Sequence, residues 1–307
     1  MHLTVVICTW NRANALDATL ASITRLLIPH GCAWEVLVVD NNSTDETPKV
    51  AKEYAAALPV RYVFEPQQGL SHARNRAARE ALGDLIVFTD DDVLADPHWL
   101  REYAAAFDAF PDAAFFGGTI DVAFAGKPPR WLRENFQIFE SAYAVRIGDR
   151  GTSPISDREY LPYGANMAFR RSVLADEAFA LHLGRMGADL LSGEEVDLMA
   201  RLLARGARGV WVGSARVEHV IPADRLTKAY IHNYYFWQGR AHVRLKKVYA
   251  DIDAGAERRL KKKLGRAQRR LRFAFRKDAA WAASFKWCAV QEGRLAELAD
   301  QGRRAAA

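Results

Sequence analysis

Leu85-Ile86-Val87-Phe88-Thr89-Asp90-Asp91-Asp92 joins an apolar run to three consecutive carboxylates. The run has the composition of a buried strand, and its end crowds three like charges into a small space. Such crowding is unfavourable unless a cation neutralises it. A hard divalent ion with oxygen ligands is one solution. A helix N-cap is the other, because an Asp before a helix satisfies orphan amides and Asp96-Pro97 follows closely. A cap requires one Asp and leaves two unexplained, so the metal reading is the stronger expectation.

Upstream, apolar runs alternate with helical patterns. Leu3 to Cys8 reads as a buried strand. In the helical stretch Asn14 to Leu27, the residues Leu16, Leu20, Ile23 and Leu27 share one face. Glu35 to Val39 reads as a second strand ending at Asp40, and Asn41-Asn42-Ser43-Thr44-Asp45 is turn chemistry. A helix over Glu46 to Ala57, a strand over Val60 to Phe64 and a helix over Leu70 to Leu82 lead back to the opening run. This alternation predicts an α/β fold with a Rossmann-like, mostly parallel central sheet flanked by helices. Ligands of such sheets bind beyond the carboxyl ends of the strands. Those ends carry Thr9-Trp10-Asn11-Arg12, Asp40, Glu65 and the three aspartates.

Downstream the periodicity loosens. Trp99 to Phe110 reads as a helix and Ala114 to Phe124 as strand around Gly117-Gly118. Lys127 to Gly151 is rich in Pro and aromatics without a period and reads as a mobile excursion. Tyr160 to Phe169 has strand character around Gly164-Ala165-Asn166, Glu195 to Leu203 that of a short helix, and Val210 to Val212 and Arg216 to Val220 those of two short strands. From Leu226 onward the chain reads as mainly helical, with no internal repeat and low complexity only in the last Ala-rich residues.

The chain has 307 residues, half of them apolar, enough for one large domain or a domain with an appendage. Its net charge of +6 is unevenly distributed. Glu257 to Lys277 holds eleven Lys or Arg and one Glu, a net of +10, and the remaining 32 basic and 36 acidic residues leave −4. The expectation is a mildly acidic body with one strongly basic segment, not a nucleic-acid-binding surface. Leu260, Leu264, Ala267, Leu271 and Phe275 recur at helical spacing in that segment. Such a helix suits an anionic membrane surface or a solvated helix packed on the domain. Cys8, Cys32 and Cys288 are scattered and odd in number, so reduced thiols in a cytosolic compartment are expected, with Cys8 a small core residue. Thr4 to Cys8 lacks a basic flank and a cleavage site, so no secretory leader is expected. Ala279 to Val290 is too short, and carries Lys286, for a bilayer span.

Six motifs in one order carry a resemblance. They are Val5-Val6-Ile7-Cys8-Thr9-Trp10-Asn11-Arg12, Val38-Val39-Asp40-Asn41-Asn42-Ser43-Thr44-Asp45, Gly69-Leu70-Ser71-His72-Ala73-Arg74-Asn75, Phe88-Thr89-Asp90-Asp91-Asp92, Gly164-Ala165-Asn166 and Gly193-Glu194-Glu195-Val196-Asp197-Leu198. The chain resembles the inverting family 2 glycosyltransferases of GT-A fold over residues 1–225. The resemblance implies a nucleotide-binding half over about 1–110, an acceptor half over about 111–225 and a helical basic extension over 226–307.

The resemblance also implies a sugar-nucleotide donor, UDP-linked in most relatives. Thr9, Asn11, Arg12, Asp40, Arg74, Asp90 and Asp91 map onto nucleotide-sugar contacts, with Asp40 facing the base and Asp90 the ribose. Asp92 maps onto the ligand of a manganese or magnesium ion, with His219 a further candidate. The general base maps onto Glu195, with Glu194 in reserve. The family has Asp there, and glutamate is one methylene longer, which matters because catalytic placement is sensitive at the ångström scale. Without the resemblance, both acids suit a helix N-terminus. Gly117, Gly118 and Asn166 are expected on the acceptor side. Trp131, Phe136, Phe139 and Tyr143 read either as an apolar lid or sugar platform or as packing of a long loop. The implied activity is metal-dependent transfer of a sugar to a glycan or lipid-linked acceptor in cell-surface polysaccharide synthesis. Its implied setting is cytoplasmic, peripheral on the inner membrane. A sugar nucleotidyltransferase ranks lower because Thr9 to Asn14 contains no glycine. An inactive sugar-nucleotide or membrane-binding scaffold is the non-enzymatic alternative.

Overall fold

A computed structural model describes residues 1–148, 151–155, 160–187, 189–245, 254–274 and 276–306. Phe275, expected on the apolar stripe of the basic segment, lies outside the described residues. The order is β1 (His2–Thr9), α1 (Ala13–Ile23), β2 (Ala33–Asp40), α2 (Thr47–Glu53), β3 (Val60–Phe64), α3 (Leu70–Glu80), β4 (Leu85–Asp90), β5 (Val93–Ala95), α4 (Trp99–Ala109) and β6 (Ala113–Phe124). Then come α5 (Arg130–Arg133), α6 (Phe136–Phe139), β7 (Thr152–Ile155), β8 (Met167–Arg170), α7 (Arg171–Asp176), α8 (Glu194–Ala204), β9 (Arg208–Ile221), α9 (Lys228–Arg244), α10 (Ala254–Arg272) and α11 (Ala279–Ala306).

Among the described residues the strands form one mixed sheet in the order β3-β2-β1-β4-β8-β6-β9-β5, with β7 also on β9. β3, β2, β1 and β4 are parallel, as their βαβ alternation requires. β8 adds antiparallel to β4, and β5 and β7 antiparallel to β9. Both faces of the parallel strands are covered. Val5, Ile7, Val36, Val38 and Val87 pack with Leu16, Leu20 and Ile23, while Val6, Leu37, Val39 and Phe88 pack with Ala73 and Ala77. Complete burial of each large aliphatic side chain stabilises the fold by about 1.5–3 kcal/mol.

Several elements differ from the sequence expectation. α1 ends at Ile23, and Leu27, expected on its buried face, is 50% exposed. The two short strands expected after residue 209 are one continuous β9, because pairing bridges Gly213-Ser214-Ala215. The strand expected over Tyr160 to Phe169 is a 3-10 turn at Gly164–Asn166 followed by β8. The mobile excursion expected after Lys127 contains α5, α6 and a further 3-10 turn, with Leu132, Phe139 and Tyr143 buried.

The chain forms two compact units. One comprises residues 1–123, 144–181 and 194–220 and carries the sheet. The other comprises 124–143, 182–193 and 221–307. The helical extension drawn at residue 226 therefore gathers two earlier segments into its unit. Within it Tyr143 stacks between Phe136 and Tyr230, with centroids at 5.8 and 5.9 Å. Trp131 packs against Phe139 and Trp281. These four aromatics are packing residues here. Gly239 on α9 and Gly293 on α11 let the two helices touch, since a Cβ would lie 2.1 Å from the Val290 carbonyl oxygen and 1.8 Å from that of Phe236. α10 lies on α11 with Leu264 buried, and its Lys and Arg side chains are exposed.

Candidate active site

Strand register assembles the site. β1 on β2 sets Thr9 beside Asp40, and β1 on β4 sets Cys8 beside Asp90. The chain then turns through Asp91 and Asp92 into β5. Thr19 on α1 fixes that turn: its hydroxyl donates to the Asp91 carbonyl at 2.8 Å and accepts from the Val93 N–H at 3.1 Å. Val93 pairs with His219 across β5 and β9, and the Val220 N–H donates to the Asp92 carbonyl at 2.9 Å. This pairing brings His219 Nε2 to 3.2 Å from Asp92 Oδ2.

The three aspartates occupy different environments. The Asp90 side chain is 34% exposed, against 5% for Asp91 and 6% for Asp92. Arg12 faces the buried pair, with Nη1 2.5 Å from Asp91 Oδ1 and Nη2 2.7 Å from Asp92 Oδ2. Thr9 Oγ1 donates to Asp91 Oδ2 at 2.8 Å. Burial pushes the Asp91 carboxyl up to about 7, aided by the charge of Asp92 and opposed by Arg12 and Thr9. Among the described residues no three His, Cys, Asp or Glu side chains converge as an ion cage. Asp91, Asp92 and His219 nonetheless supply the oxygen and imidazole donors a divalent ion accepts. Cys8 is a packed thiol, which burial raises to about 12.

Glu194 and Glu195 open α8 after Gly193, whose φ of +115° favours glycine. The Glu194 side chain is 2% exposed and that of Glu195 11%. Among the described residues, Oε2 of each is buried without a hydrogen-bond partner. Burial and the neighbouring Glu194 charge push Glu195 up to about 8, with Arg74 opposing. A carboxyl whose pKa is raised toward neutrality suits a general base, which acts in its ionised form. Asp197 turns elsewhere, to Arg201 at 2.9 Å.

Arg74, expected to face the nucleotide, is only 4% exposed and is surrounded by carboxylates. Asp40 is fully buried, with Oδ2 accepting from the Tyr62 hydroxyl at 2.7 Å and Oδ1 from the Ser43 N–H at 2.9 Å. Asn11 adopts φ +51°, a conformation asparagine tolerates, and its Oδ1 accepts from the Thr44 N–H at 2.7 Å.

Gly117, Gly118 and Asn166 serve packing. A Cβ on Gly117 would lie 2.1 Å from Pro162, and one on Gly118 2.2 Å from the Ala215 carbonyl oxygen. Asn166 is fully buried; it accepts from Trp99 and Tyr103 and donates to the Thr119 and Ala215 carbonyls. Thr19, Tyr62 and the role of Gly164 were not legible in advance. The one signal for Thr19 is a polar residue between Leu16, Leu20 and Ile23 on an apolar helical face.

The sequence model of the family described as Glycosyl transferase family 2 matches residues 4–177. A glucosyl-dolichyl phosphate glucuronosyltransferase of Haloferax volcanii is 26% identical over 244 residues, 78% of this chain and 75% of that protein. The succinoglycan biosynthesis protein ExoM of Rhizobium meliloti is 26% identical over 250 residues, 80% of this chain and 75% of that protein. Among solved structures, a mannosyltransferase from Pyrobaculum calidifontis in complex with GDP-Man and Mn2+ superposes with a TM-score of 0.57 at 21% identity, covering 99% of this chain and 80% of that one. S. aureus TarS in complex with UDP-GlcNAc gives 0.57 at 17% identity, covering 89% and 74%. The last two comparisons speak for the fold.

Proposed function

The chain belongs to glycosyl transferase family 2 and has the GT-A fold, and we propose that it transfers a sugar, with inversion, from a UDP-linked donor to a hydroxyl of a glycan or lipid-linked acceptor. The observation that carries this reading is the buried Glu195 carboxyl, 3.8 Å from an Arg74 guanidinium that also lies 3.8 Å from Asp90 at the strand end. In the proposed step the acceptor hydroxyl gives its proton to the Glu195 carboxylate. The acceptor oxygen forms a bond to the anomeric carbon, the bond from that carbon to the phosphate oxygen breaks, and its electron pair leaves with UDP. Glu195 is preferred to Glu194 because Glu194 is the more enclosed and is tied to Arg74 at 2.5 Å.

Asp92 and Asp91, with His219 beside them, are the residues that would hold a manganese or magnesium ion. The chemistry it would supply there is positive charge to offset that of the leaving diphosphate. Thr9, Asn11 and Arg12 line the strand end where the donor would lie, and Asp90 is the aspartate exposed enough to meet its ribose. Asp40 keeps lone pairs for the base beyond those used by Tyr62 and Ser43.

For the setting, we place α10 against the anionic cytoplasmic face of a membrane. Its Lys and Arg cover about 200° of the helix at 3.6 residues per turn, and no helix among the described residues is long and apolar enough to cross a bilayer. The H. volcanii relative, named for a dolichyl phosphate substrate, supports a lipid-linked acceptor. The test is turnover of a panel of UDP- and GDP-sugars with manganese, read as nucleoside diphosphate release with and without lipid-linked acceptors. Acceptor-dependent UDP release supports the reading; no release with any donor overturns it.

A further inference from the structure

Arg74 carries an inference beyond its family role. We propose that Arg74, seated in a space that only Gly164 leaves open, is a positioning residue that holds Glu195 in register with Asp90. The proposal rests on the reading of Glu195 as the base.

The geometry is that of a three-way brace. Arg74 projects from α3. Its Nη1 lies 2.5 Å from Glu194 Oε1 and 3.8 Å from Glu195 Oε2, both on α8. Its Nη2 lies 3.8 Å from Asp90 Oδ1, at the end of β4. One planar guanidinium thus faces the acceptor-side acid pair and the donor-side carboxylate together. Lysine has a single point charge and cannot reproduce that fork. The Arg74 guanidinium is committed to these three carboxylates, with 4% of the residue's surface exposed.

The seat is built for this group. A Cβ on Gly164 would stand 1.9 Å from Arg74 Nη2 and 2.9 Å from Cζ. The backbone around Gly164 cannot easily yield. The Ala165 carbonyl accepts from Thr89 Oγ1 at 2.9 Å, and the Asn166 side chain is held by four hydrogen bonds. On another side Phe179 lies beneath the guanidinium at 5.7 Å. Asn75 fixes Phe179, donating to its carbonyl at 2.9 Å and accepting from its N–H at 2.8 Å. The Gly164-Ala165-Asn166 motif therefore reads as a socket for Arg74 as well as a brace for the sheet.

The electrostatics agree. The charged groups facing Glu195 are Glu194 beside it on α8, Arg74 on α3 and Asp90 on β4. Among the described residues Arg74 is the one cation facing Glu195, so displacing it weakens the counter-charge of the acid pair. Truncating one partner of a buried ion set strands the others, and Glu195 then holds its proton to higher pH.

The experiment uses the full chain as Arg74→Lys and Gly164→Ala, with Glu195→Gln as control. Carboxyl 13C NMR titration follows Glu195, identified by the signal lost in Glu195→Gln. A second arm measures UDP affinity with manganese and the pH profile of kcat. The expected result is an alkaline shift of the Glu195 titration in both variants, with kcat down about tenfold or more and UDP affinity within about twofold of wild type. Arg74→Lys retains a charge and shifts less than Gly164→Ala. An unmoved Glu195 titration in both variants overturns the proposal, as does a selective loss of UDP affinity with kcat intact. Full activity of Glu195→Gln would remove the base reading alone, because the NMR arm tests the brace without turnover.

Discussion

Arg12 and Asp91 form a 2.5 Å ion pair at the point where β4 ends, and the same guanidinium reaches Asp92 at 2.7 Å. Arg12 is thus an internal counter-ion for two aspartates that burial would otherwise leave in repulsion, and the crowding legible in the sequence is relieved within the protein.

Arg12→Ala strands two buried carboxylates. Arg12 is 29% exposed, so the cost falls below that of breaking a fully buried pair, at about 1–3 kcal/mol. For a protein of this size that lowers Tm by several degrees. Thermal shift with manganese tests the substitution of one cation for another: manganese recovers part of the loss in Arg12→Ala and adds less to wild type. No recovery would contradict the pairing of these carboxylates with a cation.

The pH dependence of Glu195 has a definite sign. Its carboxyl ionises near 8 in the folded state, against an ordinary value of 4.5. Between these values the folded state holds a proton the unfolded chain has released, so this group's contribution to stability falls as pH rises through the window. Glu195→Gln removes that loss. Calorimetry should find the variant gaining on wild type from about pH 5 to about pH 8, by a few degrees in Tm. Because the base acts ionised, kcat of wild type should rise with pH up to about 8.

Much of this was legible in the chain. β1 to β4 announced themselves as apolar runs closed by polar residues. The acid pairs were found from the order of the motifs. β5 was missed because three residues carry no period, and β9 was divided because Gly213-Ser214 interrupts its apolar pattern. α5 and α6 are single turns and leave no helical periodicity. Arg74 is read from the resemblance as a nucleotide contact, and only its contacts with partners as distant in sequence as Gly164 and Glu194 show how it is enclosed. Gly117 and Gly118 mark close approach in the sequence, and only the fold shows that Pro162 and the Ala215 carbonyl are what approaches them.

The basic helix makes a separate prediction. Leu264 is buried and α10 packs on α11, so the apolar stripe is already occupied and attraction to a membrane would be electrostatic. The protein should co-float with phosphatidylglycerol vesicles at low salt, release as salt shortens the Debye length to about 8 Å or less, and ignore phosphatidylcholine vesicles. Exchanging Arg258, Lys262, Arg266 and Arg269 for Gln should abolish flotation and leave turnover of a soluble acceptor unchanged. Salt-resistant binding in that variant would contradict the assignment.

The central claim is that Glu195 takes the acceptor proton while the strand-end carboxylates hold the donor. The most direct measurement compares wild type with Glu195→Gln for acceptor-dependent UDP release and for UDP affinity in manganese. The account predicts release lower by about 100-fold or more, with UDP affinity preserved. Release at the wild-type rate in Glu195→Gln would contradict it.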